Sequence, residues 1–287
     1  MNPRLVDEFL AAVNATDESP ARAALVAARV AYPKLDPTAW LAELDVYGDA
    51  ARQHLELGVG GNPPTRTRLR VVSEFFFGQL GFVGNRERYE DPRNSFLNDV
   101  IARRTGIPIT LAIVFMEVAA RAGLTIDGVN FPGHFLMRCP EPDRPEPTAL
   151  IVDPFNGGAV LSDADCLRLL KTHAGAEAML EPGMLQPAGK HAILLRVLLN
   201  LKRAFVRMRS FDYARDVSEL LVALDPSALT ELRDRGLLAS HLRDYSSALR
   251  DLEAWLAATA AQGDEVAEVK EVWDHVKALR KRLASLN

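Results

Sequence analysis

The sequence predicts an α+β protein, mainly helical, with a buried helix packed on a small antiparallel sheet and an all-α helical repeat region after it. Three observations carry this expectation. The first ninety residues space their apolar side chains as helices do, between turn-forming stretches. Residues 108–122 are apolar nearly all round and are followed by three strand-like runs. Beyond residue 190 the helical pattern repeats with a period of 34.

Taken in order, Ala21–Tyr32 is Ala-rich, with Leu25, Val26, Ala28 and Val30 at helical spacing, and Pro33 ends it. Thr38–Leu57 continues as an amphipathic helix or a pair of helices through Leu41, Leu44, Val46, Ala50 and Leu55. Gly58-Val59-Gly60-Gly61-Asn62-Pro63-Pro64 has the chemistry of a loop. Leu69–Leu80 is again helical, stopped by Gly81. Its three consecutive aromatics, Phe75, Phe76 and Phe77, are expected in a core rather than in a ligand cage.

Pro108 suits the first position of the buried helix and Gly123 suits its end. Strands are expected over Thr125–Phe131, His134–Cys139 and Ala149–Asp153. Between the last two lies Pro140-Glu141-Pro142-Asp143-Arg144-Pro145-Glu146-Pro147, whose prolines suit an exposed hairpin loop and not a central strand. A turn at Asn156-Gly157-Gly158 leads to Ser162, an N-cap with Asp165 three residues on. Glycine and proline thicken from Thr172 to Lys190, so the chain is expected to divide into 1–175, a linker over 176–190, and a helical region over 191–287.

In that last region Phe211 aligns with Tyr245 at an offset of 34, which also pairs Ala214 with Ala248, Ser218 with Leu252 and Leu221 with Trp255. An aromatic three residues before a small Ala, with Asp225-Pro226 closing the unit, resembles the tetratricopeptide repeat. The final helix, Val266–Leu286, carries Val269, Val272, Trp273, Val276, Leu279 and Leu283 on one face, as a capping helix would.

Composition limits the function. The chain has 287 residues, 48% hydrophobic and 25% charged, enough for one large or two modest cores. Lys plus Arg number 34 against 38 Asp plus Glu, and the resulting charge of −4 argues against direct nucleic-acid contact. Two cysteines, Cys139 and Cys166, make no disulfide framework and no Cys-only zinc site. The beginning, Met1 to Glu8, lacks the basic and apolar regions of a signal peptide. No run reaches the roughly 20 apolar residues that span a bilayer. A cytoplasmic protein without membrane contact is expected.

The order of a buried helix opening at Gly106-Ile107-Pro108-Ile109-Thr110-Leu111-Ala112, then Gly133-His134-Phe135, then Val152-Asp153-Pro154, resembles the transglutaminase-like superfamily. Further stretches are similar to a bacterial SirB-type branch that joins this domain to tetratricopeptide repeats. They are Ala31-Tyr32-Pro33-Lys34-Leu35-Asp36, Leu80-Gly81-Phe82-Val83-Gly84-Asn85, Asn94-Ser95-Phe96-Leu97-Asn98 and Asp153-Pro154-Phe155-Asn156-Gly157-Gly158. Asn200-Leu201-Lys202 and Arg233-Asp234-Arg235-Gly236-Leu237-Leu238 extend the likeness into the repeats.

The resemblance implies a papain-like core in which a Cys opens the buried helix and His and Asp come from neighbouring strands. A helix N-terminus and an imidazolium stabilise such a thiolate, and the carboxylate orients the ring. His134 and Asp153 then stand as the remnant of a catalytic triad, but the nucleophile position falls on Pro108, which has no nucleophile.

Thr110 is the nearest hydroxyl and the candidate substitute nucleophile. Helical geometry also puts it on one face with Glu117 and Arg121, where the plainer reading is a helix edge with an i,i+4 ion pair. Cys139 and Cys166 read as small buried hydrophobes. His54, His173, His191, His241 and His275 show no ligand pattern, so neither a metal nor another cofactor is expected. Asn94, Ser95 and Asn98 read either as helix caps or, with Gly133 and Asn156, as the polar rim of a cleft. Arg70, Arg93, Arg103 and Arg104 could form a small basic patch, or simply solvated surface.

The expected function is that of a degenerate transglutaminase-like protein that binds a protein or peptide partner. The alternative is an amide hydrolase, deamidase or peptidase using His134 and Asp153 with a substitute nucleophile.

Overall fold

The computed structural model describes residues 3–16, 19–59, 61, 63–144, 148–262 and 268–285. The chain divides into two compact units, one comprising Ala12–Val197 and the other Met1–Ala11 with Leu198–Asn287. Residues 60 and 62 of the expected glycine-rich loop, 145–147 of the proline-rich hairpin and 266, 267 and 286 of the last helix lie outside the described residues.

The larger unit begins with α2 (Ala21–Ala27), continued by a 3-10 turn over Ala28–Val30. It follows α1 (Pro3–Val13), whose Leu5, Phe9 and Ala12 are buried. Residues 38–57 prove to be one helix, α3 (Pro37–Val59). Next comes α4 (Thr65–Ser73), which runs into a π-helical stretch over Glu74–Gln79. The π turn carries Phe75 and Phe76 into the core as expected, while Phe77 is only half-buried: Phe76 stacks on Phe82 at 4.3 Å and meets Phe115 edge-on at 5.2 Å.

Two short helices follow, α5 (Leu97–Arg103) and α6 (Pro108–Arg121). They are separated by β2 (Thr105–Gly106), which pairs in parallel with β1 (Val83–Gly84). Eleven of the fourteen residues of α6 are buried. Such a helix has no solvent face, which is why its sequence lacks the polar stripe of a surface helix.

Against α6 lies a four-stranded antiparallel sheet in the order β3-β4-β5-β6, with β3 (Asp127–Val129), β4 (Leu136–Glu141), β5 (Thr148–Asp153) and β6 (Ala159–Leu161). The last of these strands was not expected; its three residues are too few for alternation to show. All three expected strands shift: Thr125–Phe131 shortens to Asp127–Val129, and Ala149–Asp153 begins one residue earlier, at Thr148. His134 is not on a strand but in the turn before β4. That strand instead runs two residues further than expected, through Pro140 to Glu141. Proline is tolerated there because the pairing of β4 with β3 has already ended at Arg138↔Asp127, so no ladder bond needs its missing N–H.

After α7 (Asp163–Ala174), capped by Ser162 and Asp165 as expected, the stretch expected as a linker packs on the sheet. Ala178, Leu180, Met184 and Leu185 lie against Val129, Phe131, Leu136 and Leu170, and the Ala188 amide donates to the Gly128 carbonyl at 2.7 Å. The division between units falls instead at Leu198, inside α8 (Lys190–Arg207). Met184 and Leu185 are presented by a 3-10 turn over Pro182–Leu185, a short element that glycine- and proline-rich composition does not reveal.

The second unit contains α9 (Phe211–Leu224), α10 (Leu229–His241), α11 (Tyr245–Gln262) and α12 (Glu268–Ala284). Six of the eight residues of the 34-residue alignment are buried, Ala214, Ser218, Leu221, Ala248, Leu252 and Trp255, while the aromatic pair Phe211 and Tyr245 is half-buried. Val272, Val276 and Leu279 of α12 join this core, but Trp273 is 45% exposed and sits beside it. The motif residues Lys202 and Arg233–Arg235 enter two ion-pair clusters. Lys202 Nζ bridges Glu231 at 2.5 Å and Asp234 at 2.8 Å, and Arg235 clasps Asp251 while reaching Glu219 at 2.9 Å.

Candidate functional site

His134 is delivered by a turn. Phe131-Pro132-Gly133-His134 closes with the His134 amide donating to the Phe131 carbonyl at 3.2 Å, with Gly133 at φ +70°. A proline followed by a residue at positive φ is the pattern of a type II turn, and only glycine holds that φ without strain. Space makes the same demand, since a Cβ at Gly133 would sit 2.3 Å from the Cβ of His173. The imidazole is thereby fixed between the His173 ring, 6.3 Å away and nearly parallel, and the edge of Phe155.

Asp153 ends β5 and caps the 3-10 turn Pro154–Asn156. Its Oδ1 lies 3.0 Å from His134 Nε2 and also accepts the amides of Phe155 and Asn156; its Oδ2 accepts the Asn156 side-chain amide at 2.5 Å. Burial by itself would raise the pKa of this carboxyl. The hydrogen bond and charge of His134 outweigh burial, with the Asn156 side chain and the Phe155 amide adding to them, and hold it below the usual value. Asp153 therefore stays ionised, and its hydrogen bond with His134 places a proton on Nε2.

Asn156 is itself held by Arg86, whose guanidinium donates to its Oδ1 and lies 5.1 Å over the Phe155 ring. Arg86, Phe155 and His173 carry no site role in the sequence reading; the Pro132-Gly133 pair before His134 is the signal that points to a turn there.

The other anticipated residues have different duties. Thr110 is fully buried; its hydroxyl donates to the Asn94 carbonyl at 2.7 Å and accepts the Ile107 amide at 3.2 Å. A hydroxyl that gives its proton to a carbonyl cannot also give it to an imidazole. No hydrogen bond among the described residues joins Thr110 to His134, so the substitute-nucleophile expectation finds no geometric support. The same α6 face carries the expected ion pair, Arg121 to Glu117 at 2.6 Å, with Ser19 also donating to Glu117.

Asn94 is a buried tie rather than a cleft rim. Its amide donates to the carbonyls of Arg88 and Tyr89, its Oδ1 accepts from Asn85, and its own carbonyl receives Thr110. Ser95 and Asn98 are buried beside it, and Asn98 Oδ1 has no partner among the described residues. Tyr32 locks the same region, donating to Asp99 at 2.6 Å and standing edge-on to Phe96.

The arginines form no joint patch. Arg70 pairs with Glu74 and Arg93 with Asp91, Arg104 donates to the Leu80 carbonyl, and Arg103 reaches Asn94. Burial pushes the Cys139 thiol up to about 12 and the Cys166 thiol up to about 11, so neither is a ready thiolate. Among the described residues no group of three His, Cys, Asp or Glu side chains is placed to hold a metal, and no helix is long and apolar enough to cross a membrane.

Comparison with known proteins matches residues 38–199 to the model of the transglutaminase-like superfamily and residues 201–274 to that of a tetratricopeptide repeat. Repeats of the latter kind generally mediate protein–protein interaction. A UPF0162 protein of Xylella fastidiosa (strain Temecula1) is 38% identical over 236 residues, 81% of each chain. A UPF0162 protein of Vibrio cholerae is 30% identical over 202 residues, 70% of this chain and 73% of that one. F-box only protein 21 of Mus musculus is 28% identical over 178 residues, 61% of this chain and 28% of that one. No solved structure matches.

Proposed function

The chain belongs to the transglutaminase-like superfamily, with a tetratricopeptide repeat after that domain, and on this premise we propose that it is a non-catalytic member that binds a protein or peptide partner. One observation carries the reading: among the described residues, no hydroxyl or thiol is hydrogen-bonded to the His134–Asp153 pair. Pro108 takes the position where the family resemblance expects the thiol, Thr110 has its hydroxyl proton committed to Asn94, and both thiols are buried and protonated. A base without a nucleophile does no acyl transfer.

The pair keeps a structural duty in this reading. His134, Asp153 and Asn156 hold the β3–β4 turn against the turn after β5, and so fix the surface formed by Arg86, Phe155 and Gly133. The repeats supply a second docking surface, and the protein works in the cytoplasm.

The test is affinity capture from lysate with the wild-type chain and with His134→Ala, followed by intact-mass analysis of what co-elutes. A stoichiometric, unmodified partner retained by both is expected. In parallel, a casein digest incubated with each protein should release no more ammonia and form no more new N-termini with wild type than with His134→Ala. Modification or turnover that disappears with His134→Ala would establish the amide-hydrolase alternative instead.

A further inference from the structure

Residues 176–188 leave α7 and reach α8 across an apolar groove of the sheet. Ala178, Leu180, Met184 and Leu185 lie on Val129, Phe131, Leu136 and Leu170. The two sides of this contact differ. Val129, Phe131 and Leu136 are wholly out of solvent, yet every residue of the covering stretch is half-buried or exposed, and Met179 is 78% exposed.

The stretch is loosely tied. Its turn bonds run within itself or back to Gly175: Ala178 donates to Gly175, Met184 to Glu181 and Gln186 to Gly183. Among the described residues a single hydrogen bond joins it to the sheet, from the Ala188 amide to the Gly128 carbonyl at 2.7 Å. Gly175 enters it at φ +98° and ψ 162°, a conformation essentially confined to glycine, and a Cβ there would meet nothing. Few buried contacts and one cross-bond are the marks of a segment that opens well before its domain unfolds. Pro182 and Pro187 restrict the free chain, so it loses less entropy on settling back.

The covered groove adjoins the clasp. Phe131 opens the turn that delivers His134, and Leu136 begins β4 just after it. His173, two residues before Gly175, stacks beside His134 and leaves no room for a side chain at Gly133.

We infer that residues 176–188 are a displaceable strap, an occupant of the groove supplied by the chain itself, which a protein partner replaces with a segment of the same chemistry. That segment carries apolar side chains in the places of Ala178, Leu180, Met184 and Leu185, and a main-chain N–H for the Gly128 carbonyl. The inference rests on the reading of the chain as a protein binder, and it says which surface is taken and what guards it. The strap itself shows what the groove accepts. Main-chain bonding at a sheet edge, with side chains seated alongside, is a recurrent mode of peptide capture. A second copy of this chain is a poorer occupant, because its strap is anchored at both ends and could cross over only with α7 or α8 in tow.

The test presents a fluorescent synthetic peptide of residues 176–189 to the full chain. An occupied groove lowers apparent affinity by the fraction of molecules whose strap is released, so loosening the strap with Leu180→Asp in the protein should tighten peptide binding about tenfold or more. Leu180→Asp in the peptide, N-methylation of its Ala188 amide, or a scrambled order should each abolish that gain. A merely unfolded protein could not show such selectivity. Hydrogen exchange on wild type gives an independent reading: the Ala188 amide should exchange faster than the paired amides of β4 and β5. Equal peptide binding by the two proteins, or an Ala188 amide as slow as those of the sheet, would overturn the strap. Peptide exchange with no protein captured from lysate by either form would keep the strap and overturn the binding reading. A protein captured equally by both forms would do the reverse. A dimer that forms with rising concentration and dissolves on adding the peptide would put a second copy in the partner's place.

Discussion

Asp153 holds His134 through Oδ1 and Asn156 through Oδ2, so one buried carboxylate joins the turn before β4 to the turn after β5. The pair resembles a catalytic dyad in geometry, yet its connections are those of a clasp.

Asp153→Asn is expected to destabilise the larger unit by about 2–4 kcal/mol at neutral pH, because an amide cannot accept all the donors a carboxylate does. The sign with pH follows from its lowered pKa. A carboxyl whose folded pKa lies below its unfolded value adds stability above the unfolded pKa, and that stability is lost as pH falls through the folded one. Urea melts of wild type and variant should therefore lie well apart at pH 7 and draw together as the pH drops below about 4. A gap that does not close on acidification would mean that the carboxylate charge is not what stabilises the clasp.

Thr110 separates the structural and chemical readings of α6. Thr110→Ser keeps the hydroxyl and should behave almost as wild type, whereas Thr110→Val strands the Asn94 carbonyl and the Ile107 amide at a cost of about 1–3 kcal/mol. Partner capture by the folded Val variant should be unchanged. Turnover present in the wild type and lost in the Val variant alone would return Thr110 to a chemical role.

Gly133→Ala combines a positive φ with a contact 2.3 Å from His173 Cβ. The left-handed conformation alone costs an alanine about 1–2 kcal/mol, so the total should exceed ~2 kcal/mol. Chemical denaturation measures it; a loss under ~0.5 kcal/mol would show that the turn relaxes freely.

The thiols offer a direct check on burial. With values of about 12 and 11, Cys139 and Cys166 are expected to resist Ellman's reagent in the folded protein at pH 8. The thiolate fraction would be roughly one in ten thousand and one in a thousand. Both should react at once in denaturant. Rapid labelling of either in the native state would reopen the search for a nucleophile.

In the repeat unit, Lys202→Met leaves the buried Glu231 without its cation, while Asp234 keeps Arg233 at 2.9 Å. Removing one partner of a buried pair costs about 3–5 kcal/mol, and Glu231→Gln in the same chain should recover part of it. Strict additivity of the two changes in thermal melts would show that the network does not couple them.

The sequence by itself determined the elements whose pattern is long or chemically sharp. The all-round apolar run of α6, the 34-residue spacing of Ala214 and Ala248, and the cap at Ser162 are local facts written in composition and period. His134 and Asp153 were found as partners only through the family resemblance, and their contact was a matter of folding. What depended on distance along the chain was decided by tertiary structure. Whether Asn94 lines a cleft or ties a loop, whether residues 176–190 dangle or fill a groove, and whether Thr110 faces His134 or Asn94 all depend on what packs opposite. The three-residue β6 belongs to the same class. A strand so short has no periodicity of its own, and it exists because β5 offers it an edge to pair with.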